Sequence, residues 1–339
     1  MRRFLLAGLC LLPACGSSPS GPGVPGAPEW LSVVLTREDA TVRVEKVEYL
    51  SEGLRIVGQV CRPPGAGRFP VLALNHGGFE GLGADWNGGL CVAFARAGYA
   101  TVESSYRGED GSQGRVEFCL GEVSDVLNML AIALAQPYAD PQRASMLGLS
   151  HGGCITARAL ERGAAVRAAV DVFGPTEAVS LFRSWQARVA AGDPQAPAYR
   201  ELIARVEQAA GGPPEAVPAA YAARSPLFFV RDLDAWPGAL LVVHGTEDAL
   251  IPVGQSCALA AAGQDFRAFH LGTLLNVIPS PPDACAGLPV AWRSGPHPGP
   301  SWPDRRYLVV HEDVGHDFEG LGGGAVLAEV ASFLAAKGR

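Results

Sequence analysis

Charge is scarce in this 339-residue chain: Asp, Glu, Lys and Arg together make up 18% of it. The net charge is −7 and no run of basic residues stands out, which excludes the electrostatic footprint of a nucleic-acid binder and leaves the charge to serve solubility. Apolar runs long enough to span a bilayer as a helix are missing too; the stretch Phe4 to Leu12 is too short. No CxxC pair and no Cys/His cluster has metal-site spacing, so no metal site is expected. No internal repeat is present. In contrast, 48% of the residues are hydrophobic, enough to bury the core of one large α/β domain or two smaller ones. Glycine (42) and proline (27) are abundant, so a short glycine motif carries weight here only through its context.

The N-terminus reads as a targeting segment. Arg2 and Arg3 give a positive start, an apolar run follows, and Leu12-Pro13-Ala14-Cys15 resembles the lipobox of bacterial lipoproteins. The expectation is a signal peptide over 1–14 with lipid attached to Cys15; an ordinary secretory signal is the competing reading. Residues 16–29 hold eleven Gly, Pro or Ser in fourteen positions, a composition that cannot pack a core, and 15–40 is taken as a tether. Lipid anchor and tether together predict an exported protein held at a bacterial membrane surface, in the outer membrane or periplasm, with Gly16 favouring the outer membrane. Six cysteines remain beyond these: Cys61, Cys91, Cys119, Cys154, Cys257 and Cys285. Export permits disulfides among them; Cys257 and Cys285 are expected to pair, and Cys154 to be a small buried hydrophobe.

From residue 41 onward strands and helices alternate. A hairpin over Thr41 to Leu50 and Leu54 to Val60 precedes short buried strands at Phe69 to Leu74, Tyr99 to Glu103, Ser145 to Leu149, Val166 to Phe173, Ala239 to Val243 and Tyr307 to His311. Helical patterns fall at Leu90 to Ala97, Leu120 to Gln136, His151 to Arg162 and Leu321 to Lys337. This is the signature of an α/β protein with a mostly parallel central sheet, helices on both faces and an N-terminal hairpin at one edge. Two segments, 174–236 and 271–305, interrupt the rhythm between core strands and read as insertions of the kind that cap a site.

Gly148-Leu149-Ser150-His151-Gly152 is the only GxSxG in the chain. An apolar strand leads into it and a helix leads out, the strand–turn–helix of a nucleophile elbow. The alternative, a glycine-rich turn with Ser150 as an ordinary helix cap, leaves the later residues unexplained. A nucleophilic serine needs a base and the base an orienting acid, and on such a sheet they follow in the order Ser, acid, His. His316, on the loop after the last strand, is the expected base, with His311 the competitor. Asp248, after the strand ending at His244, is the expected acid, with Glu247 the fallback. The oxyanion hole would use the backbone N–H of His151 and one from the turn Asn75-His76-Gly77-Gly78-Phe79, with Gly78 as donor. His76 reads as a structural hydrogen-bonding residue. Trp86 and Asp85 either line the pocket or lie on the surface.

His76-Gly77-Gly78, Tyr106-Arg107-Gly108, Gly148 through Gly153, Arg224-Ser225-Pro226, His244 through Asp248 and Gly315-His316 together resemble the catalytic domain of the prolyl oligopeptidase family, from about residue 41 to the C-terminus. The resemblance implies an α/β-hydrolase fold, the triad Ser150, Asp248 and His316, and hydrolysis of a peptide or ester substrate without a cofactor. Dienelactone hydrolase-like esterases are similar as well, though dienelactone hydrolases use a cysteine where this chain has Ser150. The family's peptidases usually carry a β-propeller ahead of the catalytic domain; here a tether and a hairpin precede the sheet, and 271–305 is an unusual addition. A carboxylesterase is therefore the alternative activity, and a surface binding module without catalysis the alternative of another class.

Overall fold

The computed structural model describes residues 29–272, 276–299, 301–316 and 323–338. The expected signal peptide, Cys15 and the tether up to residue 28 lie outside them. Eleven strands form one sheet among the described residues: β1 (Ser32–Glu38), β2 (Arg43–Ser51), β3 (Leu54–Arg62), β4 (Phe69–Asn75), β5 (Ala100–Ser104), β6 (Ala139–Leu149), β7 (Ala168–Val172), β8 (Ala239–Gly245), β9 (Phe266–Leu271), β10 (Val277–Ile278) and β11 (Arg306–His311). Their order is β1-β2-β3-β5-β4-β6-β7-β8-β11-β9-β10. The run from β5 to β9 is parallel, β1 to β3 pair antiparallel with one another and with β5, and β10 pairs antiparallel with β9. This is the α/β-hydrolase fold that the sequence motifs implied.

The strand sequences explain the layering. β8 and β11 are buried along their whole length, as parallel strands covered on both faces must be. β2 alternates, with Val47, Tyr49 and Ser51 buried and Lys46 and Leu50 exposed, as an outer antiparallel strand does. The helices are α1 (Gly89–Arg96), α2 (Gly121–Leu134), α3 (His151–Glu161), α4 (Ala178–Ala190), α5 (Ala196–Ala210), α6 (Pro218–Ala222), α7 (Val230–Ala235), α8 (Gly254–Ala262) and α9 (Gly323–Lys337). One sheet face is covered by α2, α3 and α8, through Val123, Ile155 and Leu259. The other is covered by α1 and α9, through Phe94, Val330 and Phe333. A third apolar cluster joins α4 and α5 to the loops above the sheet, around Phe182, Trp185, Tyr199 and Ile251.

Two of the sequence expectations are corrected. The tether does not extend to residue 40: residues 32–38 form β1, which adds to the edge of the sheet beside β2. Its Val33, Val34 and Leu35 are exposed, and this absence of a buried face is why composition alone hid the strand. Cys154 is buried, but it is no free thiol; it is bonded to Cys119. The expected Cys257–Cys285 bond is present, and Cys61–Cys91 is a third. The 271–305 insertion lies between β9 and β11 and is fastened to the core: Cys285 is bonded to Cys257 of α8, and Trp302 is fully buried with its ring 5.2 Å from Phe333 of α9. Among the described residues no helix is long and apolar enough to cross a membrane.

Candidate active site

The tight turn after β6 sets the candidate nucleophile, Ser150. Ser150 adopts φ 56° and ψ −120°, a conformation an L-residue takes only when its surroundings impose it. The imposition is visible in the packing. A Cβ on Gly148 would strike the Gly152 carbonyl, and one on Gly152 would strike the Asn75 carbonyl at the end of β4. Glycine at both positions lets strand, turn and helix close on each other. The Ser150 N–H donates to the Val172 carbonyl at 2.8 Å, tying the elbow to β7. α3 begins at His151, so its N-terminal dipole end lies directly behind the serine and favours negative charge there.

Ser150, His316 and Asp248 meet, although 68 residues or more separate His316 from each of the other two along the chain. His316 Nε2 is 2.9 Å from Ser150 Oγ, and His316 Nδ1 is 2.7 Å from Asp248 Oδ2. The other carboxylate oxygen accepts the N–H groups of Leu250 and Ile251 at 3.0 and 2.8 Å. Burial by itself would raise the Asp248 carboxyl; hydrogen bonds from His244 and His316 outweigh it and hold the pKa down at about 2. Asp248 is thus ionised, an acceptor only, so the imidazole proton sits on Nδ1 and Nε2 is free to accept the serine hydroxyl proton.

The competitors sit elsewhere. Glu247 is exposed to solvent. His311 is buried with Nε2 2.7 Å from Glu329 Oε2 of α9, on the covered face of the sheet. Trp86 is half-buried with its ring 5.2 Å from the Lys46 ammonium of β2, so it serves the outer hairpin and fits the surface alternative.

The candidate oxyanion turn, His76 to Phe79, is held by its carbonyls. The Tyr106 hydroxyl donates to the His76 carbonyl at 3.1 Å, and His76 Nδ1 lies 2.9 Å from the Gly77 carbonyl. His151 Nδ1 lies 3.0 Å from the Gly78 carbonyl, and the Arg205 guanidinium donates to the Phe79 carbonyl at 3.3 Å. Four consecutive carbonyls thus have side-chain donors. In a trans peptide unit the N–H points opposite its C=O, so fixing the carbonyls also fixes the amides. Gly77 packs against Ser150, whose Oγ lies 3.6 Å from where a Gly77 Cβ would stand. Gly78 has φ +75°, which only glycine adopts cheaply.

Several contributors escaped sequence reasoning. His244, fully buried at the end of β8, lies with Nε2 2.7 Å from the Ile251 carbonyl and 3.3 Å from Asp248 Oδ2, bracing the acid loop. Its place four residues before the acid was the available signal. Trp185 Nε1 of α4 donates to the Leu250 carbonyl at 2.7 Å, and the Tyr199 hydroxyl of α5 to the Ala249 carbonyl at 3.2 Å. With Arg205 on the oxyanion turn, the 174–236 insertion therefore grips both sides of the site. Arg107 and Arg224 are structural: Arg107 binds Asp125 through two nitrogens, and Arg224 donates to the carbonyls of Glu117, Ala220 and Ala209. A cavity of about 290 Å³ opens beside the oxyanion turn, lined in part by Phe79, Arg115 and Arg205. Among the described residues no group of three or more His, Cys, Asp and Glu could hold a metal ion.

The prolyl oligopeptidase family matches this chain over residues 89–269. The uncharacterized peptidase YtmA of Bacillus subtilis is 25% identical over 219 residues, 64% of this chain and 78% of its own. Among solved structures, acetyl xylan esterase 1 from Thermoanaerobacterium sp. JW/SL YS485 superposes with a TM-score of 0.59 at 16% identity, covering 91% of this chain and 89% of the esterase. The acylaminoacyl peptidase of Pyrococcus horikoshii gives the same TM-score at 19% identity, over 88% of this chain and 42% of that enzyme.

Proposed function

Because this chain belongs to the prolyl oligopeptidase family and is a serine hydrolase, we propose that it cleaves a peptide or ester bond through an acyl-enzyme on Ser150. The observation that carries the reading is the relay from Asp248 Oδ2 through His316 to Ser150 Oγ, at 2.7 and 2.9 Å. Ser150 Oγ attacks the substrate carbonyl carbon as its proton passes to His316 Nε2. The carbonyl oxygen becomes an oxyanion facing the amides of Gly78 and His151. His316 then gives the proton to the leaving amine or alcohol, and the C–N or C–O bond breaks. Water, deprotonated by His316, attacks the acyl-enzyme; Ser150 takes the proton back and the acid product leaves. Asp248 holds the imidazole in the useful tautomer and stabilises its charged form.

Peptidase action is the first reading. The carboxylesterase reading is favoured by partly buried apolar side chains around the site: Phe79 of the turn, Leu250 of the loop carrying Asp248, and Leu202 and Ile203 of α5 pack against the third apolar cluster and suit an apolar acyl chain. Rates on p-nitrophenyl esters against proline-containing peptide anilides decide between them. A fluorophosphonate should label the folded protein and fail on Ser150→Ala; equal labelling of both would sink the nucleophile assignment, and no labelling of either would leave the binding-module alternative.

The expected lipid anchor at Cys15 is part of the same proposal. Three disulfides support an oxidising compartment. Incorporation of labelled palmitate in cells, abolished by Cys15→Ser, is the test; palmitate-free protein in the soluble periplasmic fraction would refute it.

A further inference from the structure

We propose that the imidazole of His151 is a positioning residue for the oxyanion turn: it fixes Gly78 through the Gly78 carbonyl, and takes its own bearing from the Cys119 amide, which a disulfide ties back to the same helix. The proposal rests on the Ser150 mechanism above, in which the residue after the nucleophile contributes only its backbone N–H.

The tautomer follows from the partners. His151 Nε2 receives the Cys119 backbone N–H at 3.1 Å. A backbone amide can only donate, so Nε2 is bare and the ring proton is on Nδ1. Nδ1 lies 3.0 Å from the Gly78 carbonyl, which can only accept. Both ring nitrogens are thus satisfied in the neutral form and in no other. Burial maintains that form: it pushes the His151 pKa down to about 4, against the opposing effect of the Gly78 bond.

Gly78 is where such a hold is needed. At φ +75° and without a Cβ, it has the widest backbone freedom in the turn, and its exposure leaves it little packing. His76 holds the peptide plane on its N-terminal side through the Gly77 carbonyl, and His151 holds the plane on its C-terminal side. With both planes fixed, the Gly78 N–H is aimed before substrate arrives, which is the preorganisation that makes an oxyanion hole effective. The far end of the brace is itself secured. Cys119 is bonded to Cys154, three residues beyond His151 on α3, so the loop carrying the Cys119 amide cannot drift from the helix carrying the imidazole.

Packing alone is the rival explanation, because the ring lies 5.3 Å from Phe118, stacked, and 4.9 Å from Phe79. Two substitutions separate the two roles. His151→Phe keeps an aromatic ring between Phe118 and Phe79 and loses both hydrogen bonds. His151→Asn loses the ring and keeps an N–H near the Nδ1 position. Hydrolysis of p-nitrophenyl butyrate and inhibition by phenylboronic acid, whose tetrahedral adduct needs the hole, provide the readouts. For His151→Phe, kcat should fall roughly ten- to a hundredfold, a part of the hundred- to thousandfold lost with a whole oxyanion donor. KM should stay within about threefold, phenylboronic acid should bind more weakly by a factor similar to the fall in kcat, and the pH midpoint of kcat/KM should not move. His151→Asn should recover about tenfold of the loss. A His151→Phe enzyme within about threefold of wild-type kcat, or an Asn variant slower than the Phe variant, overturns the proposal. If His151→Phe does not fold, Asn is compared with His151→Ala, and equal kcat in those two overturns it. Wild type that fluorophosphonate does not label sinks the Ser150 reading itself, and this proposal with it; labelled wild type with an unimpaired Phe variant sinks only the role of His151.

Discussion

Replacing Asp248 by Asn removes one charge and almost no volume, so its effect isolates what the carboxylate does. In the wild type Oδ2 can only accept, which places the His316 proton on Nδ1 and leaves Nε2 to take the proton of Ser150 at 2.9 Å. In Asp248→Asn, the Leu250 and Ile251 N–H groups still require an oxygen at the Oδ1 position. The amide NH₂ must then face His316 Nδ1. A donor there forces the imidazole into the tautomer with its proton on Nε2, where it can no longer receive the serine proton. In a serine-protease triad that change costs on the order of 10⁴ in kcat, about 5 kcal/mol of barrier. Stability should change by less. The Asp248 pKa of about 2 lies below the ordinary 3.8. A group whose pKa is lowered on folding stabilises the fold above its unfolded pKa, so the contribution is complete above about pH 4 and is lost as pH falls through about 2. It amounts to on the order of 2 kcal/mol at neutral pH. Asp248→Asn should therefore melt below wild type at pH 7, and the gap should narrow on acidification towards pH 2. Ester hydrolysis and thermal melts as a function of pH measure both effects. A kcat within tenfold of wild type, with the fold intact, would refute the tautomer argument, and a stability gap that widens in acid would refute the charge argument.

Glu247→Ala, at the exposed neighbour, should leave kcat within about twofold in the same ester assay. Removing the Cys119–Cys154 bond by a double alanine substitution opens a link between residues 35 apart, worth about 3–4 kcal/mol in the chain-entropy picture; denaturant titration should show a loss of that order, with kcat falling as well. Gly152→Ala sets a methyl against the Asn75 carbonyl, and it should abolish fluorophosphonate labelling or lower the melting temperature by several degrees. Trp185→Phe breaks the 2.7 Å bond to the Leu250 carbonyl, a loss of about 1 kcal/mol, and a fewfold drop in kcat/KM should accompany it.

The parallel core was legible because its strands are short, apolar and bounded by glycine or by helix starts; β8 and β11 fall within two residues of where the pattern put them. That Ser150, Asp248 and His316 would be candidates for one site was legible because the chemistry of a Ser-acid-His set dictates its order along such a chain, and the structure brings the three side chains together. β1 was illegible for a physical reason: an edge strand with both faces wet has no apolar side to reveal a period of two. The pairing of Cys154 with Cys119 was illegible because sequence gives spacing and not distance; the loop after β5 brings Cys119 over α3, and nothing in the local pattern announces that return. The carbonyl contacts of His151, Arg205 and Trp185 were hidden likewise, since each is a long-range meeting of side chain and backbone.

The grip of the α4–α5 cap on two separate loops has a consequence for how activity fails with heat. Trp185 and Tyr199 hold the loop carrying Asp248, while Arg205 holds the turn at His76 to Phe79, so one packed helix pair indexes two loops that leave different strands of the sheet. If the cap loosens as a unit, proton relay and charge stabilisation are lost together. Inactivation should then run ahead of melting: ester hydrolysis falls in one sharp step at a temperature where far-ultraviolet circular dichroism still reports an intact sheet, and it returns on cooling because the sheet was never lost.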